Sequence, residues 1–226
     1  MKASEYIDYL ITGECSKLAI ADVGDMSANP SPAPSALQVI NQNKFLNYVN
    51  LANLALHKRF HLVKKMYEMD NPLDAEEYTL PSDFLVPIHA YYTSDFVQVA
   101  IKDDSVKLVQ DVDQHVSILI NEPFKAVIKG TDAETPQRKQ ILLKYAAAPK
   151  KAKTTYADLK ISEVYTEALL NYAGYKAHSA ISGDMKDENN TYYMRYESSC
   201  KQLINSGMWG NNEIEVNTKL TDNGFV

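Results

Sequence analysis

The sequence predicts an α+β fold. A helical bundle, built from N-terminal helices and a C-terminal helical hairpin, is interrupted by a small antiparallel β-module and followed by an extended C-terminal arm. Three observations predict it. Apolar residues recur at helical spacing before residue 60 and again from about 157. Between those stretches the spacing drops to two, in short runs separated by Asp, Asn, Pro and Gly. Beyond Gly207 the chain is polar, with isolated large apolar residues. The corresponding divisions are 1–59 with 154–206 for a discontinuous bundle, 60–153 for the β-module with its linker, and 207–226 for a docking arm.

The first element is a short amphipathic helix over residues 3–12, with Tyr6, Ile7, Leu10 and Ile11 on or near one face and Gly13 at its end. A further turn or two, Glu14 to Ala21, carries Leu18 and Ile20. The stretch 24–35, with Pro30, Pro32 and Pro34, reads as a loop or extended segment; its P-x-P-x-P spacing does not match a PxxP ligand. Ser35 can cap a helix over roughly 36–58, whose buried face carries Phe45, Val49, Ala52 and Leu56.

Strands are predicted next in FHLVKKMYEM, in two short runs of EEYTLPSDFLVPIHAYYT broken by Pro81 and Pro87, and in VQVAIKDD, where Val97, Val99 and Ile101 share a face. Val106 to Leu108, HVSILINEP, PFKAVIKG and RKQILLKYAAAP supply the remainder. A linker bearing Lys150, Lys151 and Lys153 then leads to the longest helical pattern, Ala157 to Ile181. Its stripe is Ile161, Tyr165, Leu169 and Tyr172, and beside it run Ala173, Ala177 and Ala180, where another helix can approach closely. Gly174 costs about 1 kcal/mol relative to Ala in a helix interior, which calls for a packing reason. The hairpin partner spans roughly 185–206, with Asp184 as its cap, Tyr193, Tyr196, Cys200 and Leu203 along one face, and Gly207 as its stop. In the tail, Ile214 and Val216 alternate with polar neighbours as a strand would. Trp209, Ile214, Val216, Leu220 and Phe225 are the candidate docking residues of the arm.

Composition narrows the function. A net charge of −6 argues against general attraction to nucleic acid. Two cysteines, Cys15 and Cys200, are too few for a disulfide framework and suit a reducing compartment. No apolar run is long enough for a membrane span, and the N-terminus lacks the pattern of a secretory signal. Fifteen tyrosines suit surfaces that are half apolar and half wet. Neither GxGxxG, GxxxxGK[ST] nor GxSxG occurs. His57 and His61 have the i, i+4 spacing of two metal ligands, but the intervening residues lack the Glu of HExxH and the helix ends between them. Cys200 falls on an apolar helix face and reads as core, and the acidic pairs Glu76–Glu77 and Asp103–Asp104 fall in turns. No catalytic, cofactor or metal residues are assigned, and the chain reads as a non-enzyme that lacks a cofactor.

Three local patterns carry a resemblance to a known family: EYTLPSDFLVPI at 77–88, QILLKYAAAPK at 140–150, and ISEVYTEALLNYAGYKA at 161–177. In order and spacing they resemble the head-to-tail connector proteins of tailed bacteriophages, in particular the tail tubular protein A-like adaptors of short-tailed phages. The resemblance covers roughly Phe60 to Ser206, and the Pro-rich stretch at 24–35 departs from it. It implies a structural virion protein: a ring of twelve copies at the head-tail interface, joining the portal to the tail nozzle or other tail ring proteins and forming part of the DNA ejection channel. The Ala173, Ala177 and Ala180 line would then pack against the neighbouring subunit, the arm would dock into the portal, and Lys150, Lys151 and Lys153 are candidate contacts to DNA or a partner. The alternatives are a monomeric ligand-binding module and a tail-associated cell-wall hydrolase.

Overall fold

A computed structural model describes residues 1–27, 32–70, 77–93, 96, 98–102, 117–122, 124–129, 140–182 and 188–207. The fold is α+β: helices α1 (Ala3–Thr12), α2 (Ala36–Phe60), α3 (Thr166–Ser182) and α4 (Glu188–Asn205) stand on either side of seven strands in the chain. The strands are β1 (Lys64–Asp70), β2 (Glu77–Thr79), β3 (Phe84–Tyr92), β4 (Gln98–Lys102), β5 (Ser117–Glu122), β6 (Lys125–Lys129) and β7 (Gln140–Ala147). The chain forms two compact units, a helical one from residues 3–49 with 161 onward and a sheet-bearing one from residues 50–160. The last part of α2 and residues 154–160 therefore belong with the sheet rather than with the bundle.

In the helical unit, α1 buries Ala3, Tyr6, Ile7 and Leu10. Gly13 ends it: a Cβ there would lie 2.9 Å from the Tyr9 carbonyl, so only glycine fits. Residues 14–27 form turns and a short 3₁₀ helix at Ala19–Ala21, and they are fixed to α2 by polar side chains. Asn41 donates to the Asp22 carbonyl at 2.9 Å, and Gln42 donates to that of Val23 at 2.7 Å. Cys15, Ile20, Val23 and Met26 are buried beneath this segment. Ser35 and Gln38 form a capping box at the start of α2, the Gln38 amide donating to Ser35 Oγ and the Ser35 amide to Gln38 Oε1. Phe45, Val49, Ala52 and Leu56 are all fully buried, as the spacing predicts.

The long C-terminal helix starts later than its periodicity suggests. Residues 157–162 are not helical; a 3₁₀ turn at Glu163–Tyr165 leads into α3 at Thr166. Leu159 is buried within the sheet unit, which holds this stretch out of the helix, and Ser162 has extended backbone (φ −69°, ψ 146°). Tyr165 and Leu169 remain buried on the predicted stripe. Helices α3 and α4 pack through a tyrosine ladder: the Tyr172 and Tyr196 rings lie 4.9 Å apart and those of Tyr175 and Tyr193 5.3 Å apart. A buried polar link adds register, with Asn171 donating to Ser199 Oγ at 3.2 Å and Ser199 donating to Glu167 at 3.0 Å. On α4, Tyr196, Cys200 and Leu203 are buried, but Tyr193 is exposed. Gly207, at φ +67°, closes the helix as predicted. Asp184 lies outside the described residues.

The strands form one sheet in the order β1-β7-β3-β4-β5-β6-β2. All its pairs are antiparallel except β4–β5, which run parallel. The connection across 103–116 is long enough for the crossover that a parallel pair requires. The sheet curls round a core that includes Met69, Leu80, Ile118, Ile128, Ile141 and Leu143. Its two outermost strands come within side-chain reach, since the Tyr67 hydroxyl on β1 donates to the Thr79 carbonyl on β2 at 3.1 Å. Pro87 does not break β3, contrary to the sequence reading. The β3–β7 register shifts between Pro87 and His89, and β3 meets β4 only at Ala90 and Tyr91, so Pro87 sits at an irregular point of the ladder with no β4 partner beside it. Val106 to Leu108 lies outside the described residues.

Gly174 has its packing reason: a Cβ there would stand 3.3 Å from Glu14 Cβ. Ala173 and Ala177, on the same helix, are fully buried within this one chain. Overpacking a filled core costs about 1–3 kcal/mol. Ala173→Leu should therefore lower the thermal midpoint of the isolated chain. An unchanged melt would return this face to the surface.

Candidate functional site

The burial of Ala173 and Ala177 corrects their assignment to a neighbouring subunit. Their small side chains let elements of the same unit approach, and of the three alanines only Ala180 is exposed. Trp209, Ile214, Val216, Leu220 and Phe225 all lie outside the described residues. The outward apolar residues of the helical unit include Leu37, 61% exposed, and Ile40, 51% exposed, on the first half of α2, and Met194, 63% exposed, on α4. Ile40 lies on the side of α2 away from Phe45 and Val49, and Leu37, eight residues before Phe45, lies on the flank between the two faces. Reading only the buried stripe of α2 hides this second face. The signal was present in a helix that is apolar on both sides.

The sheet unit carries two exposed aromatic loop residues with left-handed backbone, Phe96 (φ 57°) and Phe124 (φ 66°). Non-glycine residues seldom adopt this conformation. The amide of Phe96 is satisfied by the Tyr92 carbonyl at 3.0 Å.

Lys150, Lys151 and Lys153 are exposed. Their segment is not a free linker. The Asn50 side chain grips the backbone of Ala152 from both sides, accepting from its amide at 2.8 Å and donating to its carbonyl at 3.0 Å. Just before it, the Ala147 amide donates to Val63 O and the Ala148 amide to Asp83 O. Ala152 is buried, so the lysines on either side of it project from fixed backbone.

Other cations gather at the same end of the sheet unit. Lys58 and Arg59 close α2, Lys64 and Lys65 open β1, and Lys144 stands opposite Met66 near the end of β7. A cavity of about 280 Å³ lies among Asn53, His57, Lys65, Lys150, Asp158 and Lys160. Burial, and then the charge of Lys64, lowers the pKa of Lys144. Lys65 pairs with Asp83, which its hydrogen bond holds below the usual carboxylate range; the Tyr145 hydroxyl also donates to Asp83, at 3.1 Å. Burial, followed by that bond, pushes the Tyr145 hydroxyl up to about 12.

His57 is almost wholly buried, and its Nδ1 lies 2.9 Å from the Asn53 carbonyl. Desolvation lowers its pKa against the opposing hydrogen bond to Asn53, and so favours the neutral ring. His61 lies past the end of α2 at φ 49°, so the pair shares no helix face. Among the described residues, no group of three or more His, Cys, Asp or Glu side chains could hold a metal ion, and no helix is long and apolar enough to cross a membrane. Cys200 is buried as core, and burial raises the Cys15 thiol to about 12, which makes it a poor nucleophile.

No family model matches the chain, and no curated protein is significantly similar to it.

A depressed histidine pKa has a definite consequence for stability. The unfolded chain binds the proton more tightly than the folded one, so His57 favours unfolding as pH falls through its unfolded value of about 6.5. The melting temperature should drop between pH 7.5 and pH 5.5, and His57→Gln should reduce that drop. Equal pH dependence in both proteins would show that His57 is not buried neutral.

Proposed function

We propose that this chain is a structural connector of a tailed bacteriophage virion, an adaptor that forms a ring between portal and tail and through which the DNA passes. Its role is assembly rather than catalysis. The observation that carries the reading is the two-sided apolar character of α2. One face fills the core with Phe45 and Val49, while Ile40 on the opposite side and Leu37 on the flank are exposed to solvent. A helix that is apolar on both sides generally has a partner on each, and in a ring that partner is the next copy.

The arrangement of the chain supports the same reading. A helical unit made from both ends of the described chain, with a sheet unit inserted at 50–160, has the order of elements that the resemblance implies. The helical unit serves contacts with its neighbours and the portal, and the C-terminal arm docks into the portal. The sheet unit faces the nozzle or other tail rings, and the exposed Phe96 and Phe124 are suited to that contact. Residues 50–160 hold equal numbers of acidic and basic side chains, so the net −6 falls on the rest of the chain. An acidic surface lining the passage would repel DNA rather than hold it.

Incubation with portal rings tests the proposal. The native chain should co-sediment with portal. Leu37→Glu with Ile40→Glu should leave the monomer melt within about 0.5 kcal/mol, as exposed substitutions do, and reduce co-sedimentation at least tenfold. Failure of the native chain to bind portal would contradict the connector reading.

A further inference from the structure

The charge of this protein is segregated, and the basic end of the sheet unit has no role in the assembly described above. We propose that this end is a sequence-independent binding surface for the phosphate backbone of duplex DNA.

The cavity among Lys65, Lys150 and Lys160 joins residues from α2, the start of β1 and the segment leaving β7. Lys58 follows His57 of its lining in the chain, Lys151 and Lys153 follow Lys150, and all six lysines are exposed. Asp158 lies on the cavity wall, and Asp83 is engaged by Lys65 and Tyr145. The six exposed lysines outnumber these two acids, although residues 50–160 are neutral as a whole.

The choice of cation favours DNA over a protein partner. Lysine is depleted in protein–protein interfaces whereas arginine is enriched, and in this region lysines outnumber the single Arg59. Lysine acts as a point charge that contacts a phosphate without demanding fixed geometry. Such contacts exchange with counterions, which lets DNA slide across the surface while being held near it. The Asn50 clamp on Ala152 keeps Lys151 and Lys153 presented together.

The inference does not depend on ring formation and can be tested on the isolated chain. Fluorescence anisotropy with a mixed-sequence duplex of about 30 base pairs should show binding at 50 mM salt, with a dissociation constant of about 100 µM or tighter, lost by 200 mM. The variant Lys150→Glu, Lys151→Glu, Lys153→Glu should weaken binding at least tenfold and lower the salt slope by about 3. A control with the same change in net charge, Lys17→Glu, Lys44→Glu, Lys201→Glu in the helical unit, should bind within about twofold of the native chain. No binding at 50 mM salt, or equal losses in both variants, would overturn the proposal. So would a duplex that never binds together with self-association that only the first variant abolishes; the surface would then be a protein interface.

Discussion

Inserting a sheet into a helical unit requires the points where the chain leaves and returns to be fixed, and much of the sheet unit's organisation depends on how that is done. Asn50 and Ala152 are 102 residues apart in sequence, yet the Asn50 amide satisfies both backbone groups of Ala152. Buried backbone polar groups left without partners are costly, so one side chain that satisfies a donor and an acceptor holds its segment firmly. The adjoining bonds from Ala147 to Val63 and from Ala148 to Asp83 continue the attachment into the sheet. The clamp also decides what the lysines of this segment are. On a free linker they would be solvated charges, whereas on pinned backbone they form one wall of a charged surface.

The same end of the sheet unit shows how environment sets the state of each ionisable group. Asp83 has a lysine partner and a tyrosine donor, and its charged form is favoured. His57 has burial and a single carbonyl, and its neutral form is favoured. Lys144 is partly desolvated beside Lys64, so its charged form is disfavoured, while exposed Lys150 and Lys151 lie in solvent. Groups close in space thus separate into structural and available ones.

Much of the fold was legible because burial imposes a period. The spacing of Phe45, Val49, Ala52 and Leu56 marks the core face of α2, and the alternation round Val99 and Ile101 marks β4. The start of α3 was not legible, since Ile161 fits the helical stripe while the neighbouring Leu159 is held in the sheet unit. Pro87 misled for a related reason: whether a proline breaks a strand depends on which side of it is paired, and pairing is a tertiary property. The surfaces were harder still. Ala173 and Ala177 look like a contact line from sequence, but small residues serve close packing equally within a chain and between chains. The basic surface draws on α2, β1, β7 and the segment after it, and no local window can join Lys58, Lys65 and Lys150.

The central claim is that this chain acts as one of many copies in a connector. The most direct measurement is the native mass of the complex formed with purified portal rings, which counts the bound chains. The account predicts a discrete complex in which about twelve copies join each ring, the number implied by the resemblance to phage adaptors. One bound chain per portal, or a spread of partial occupancies that tracks concentration with no preferred count, would contradict it.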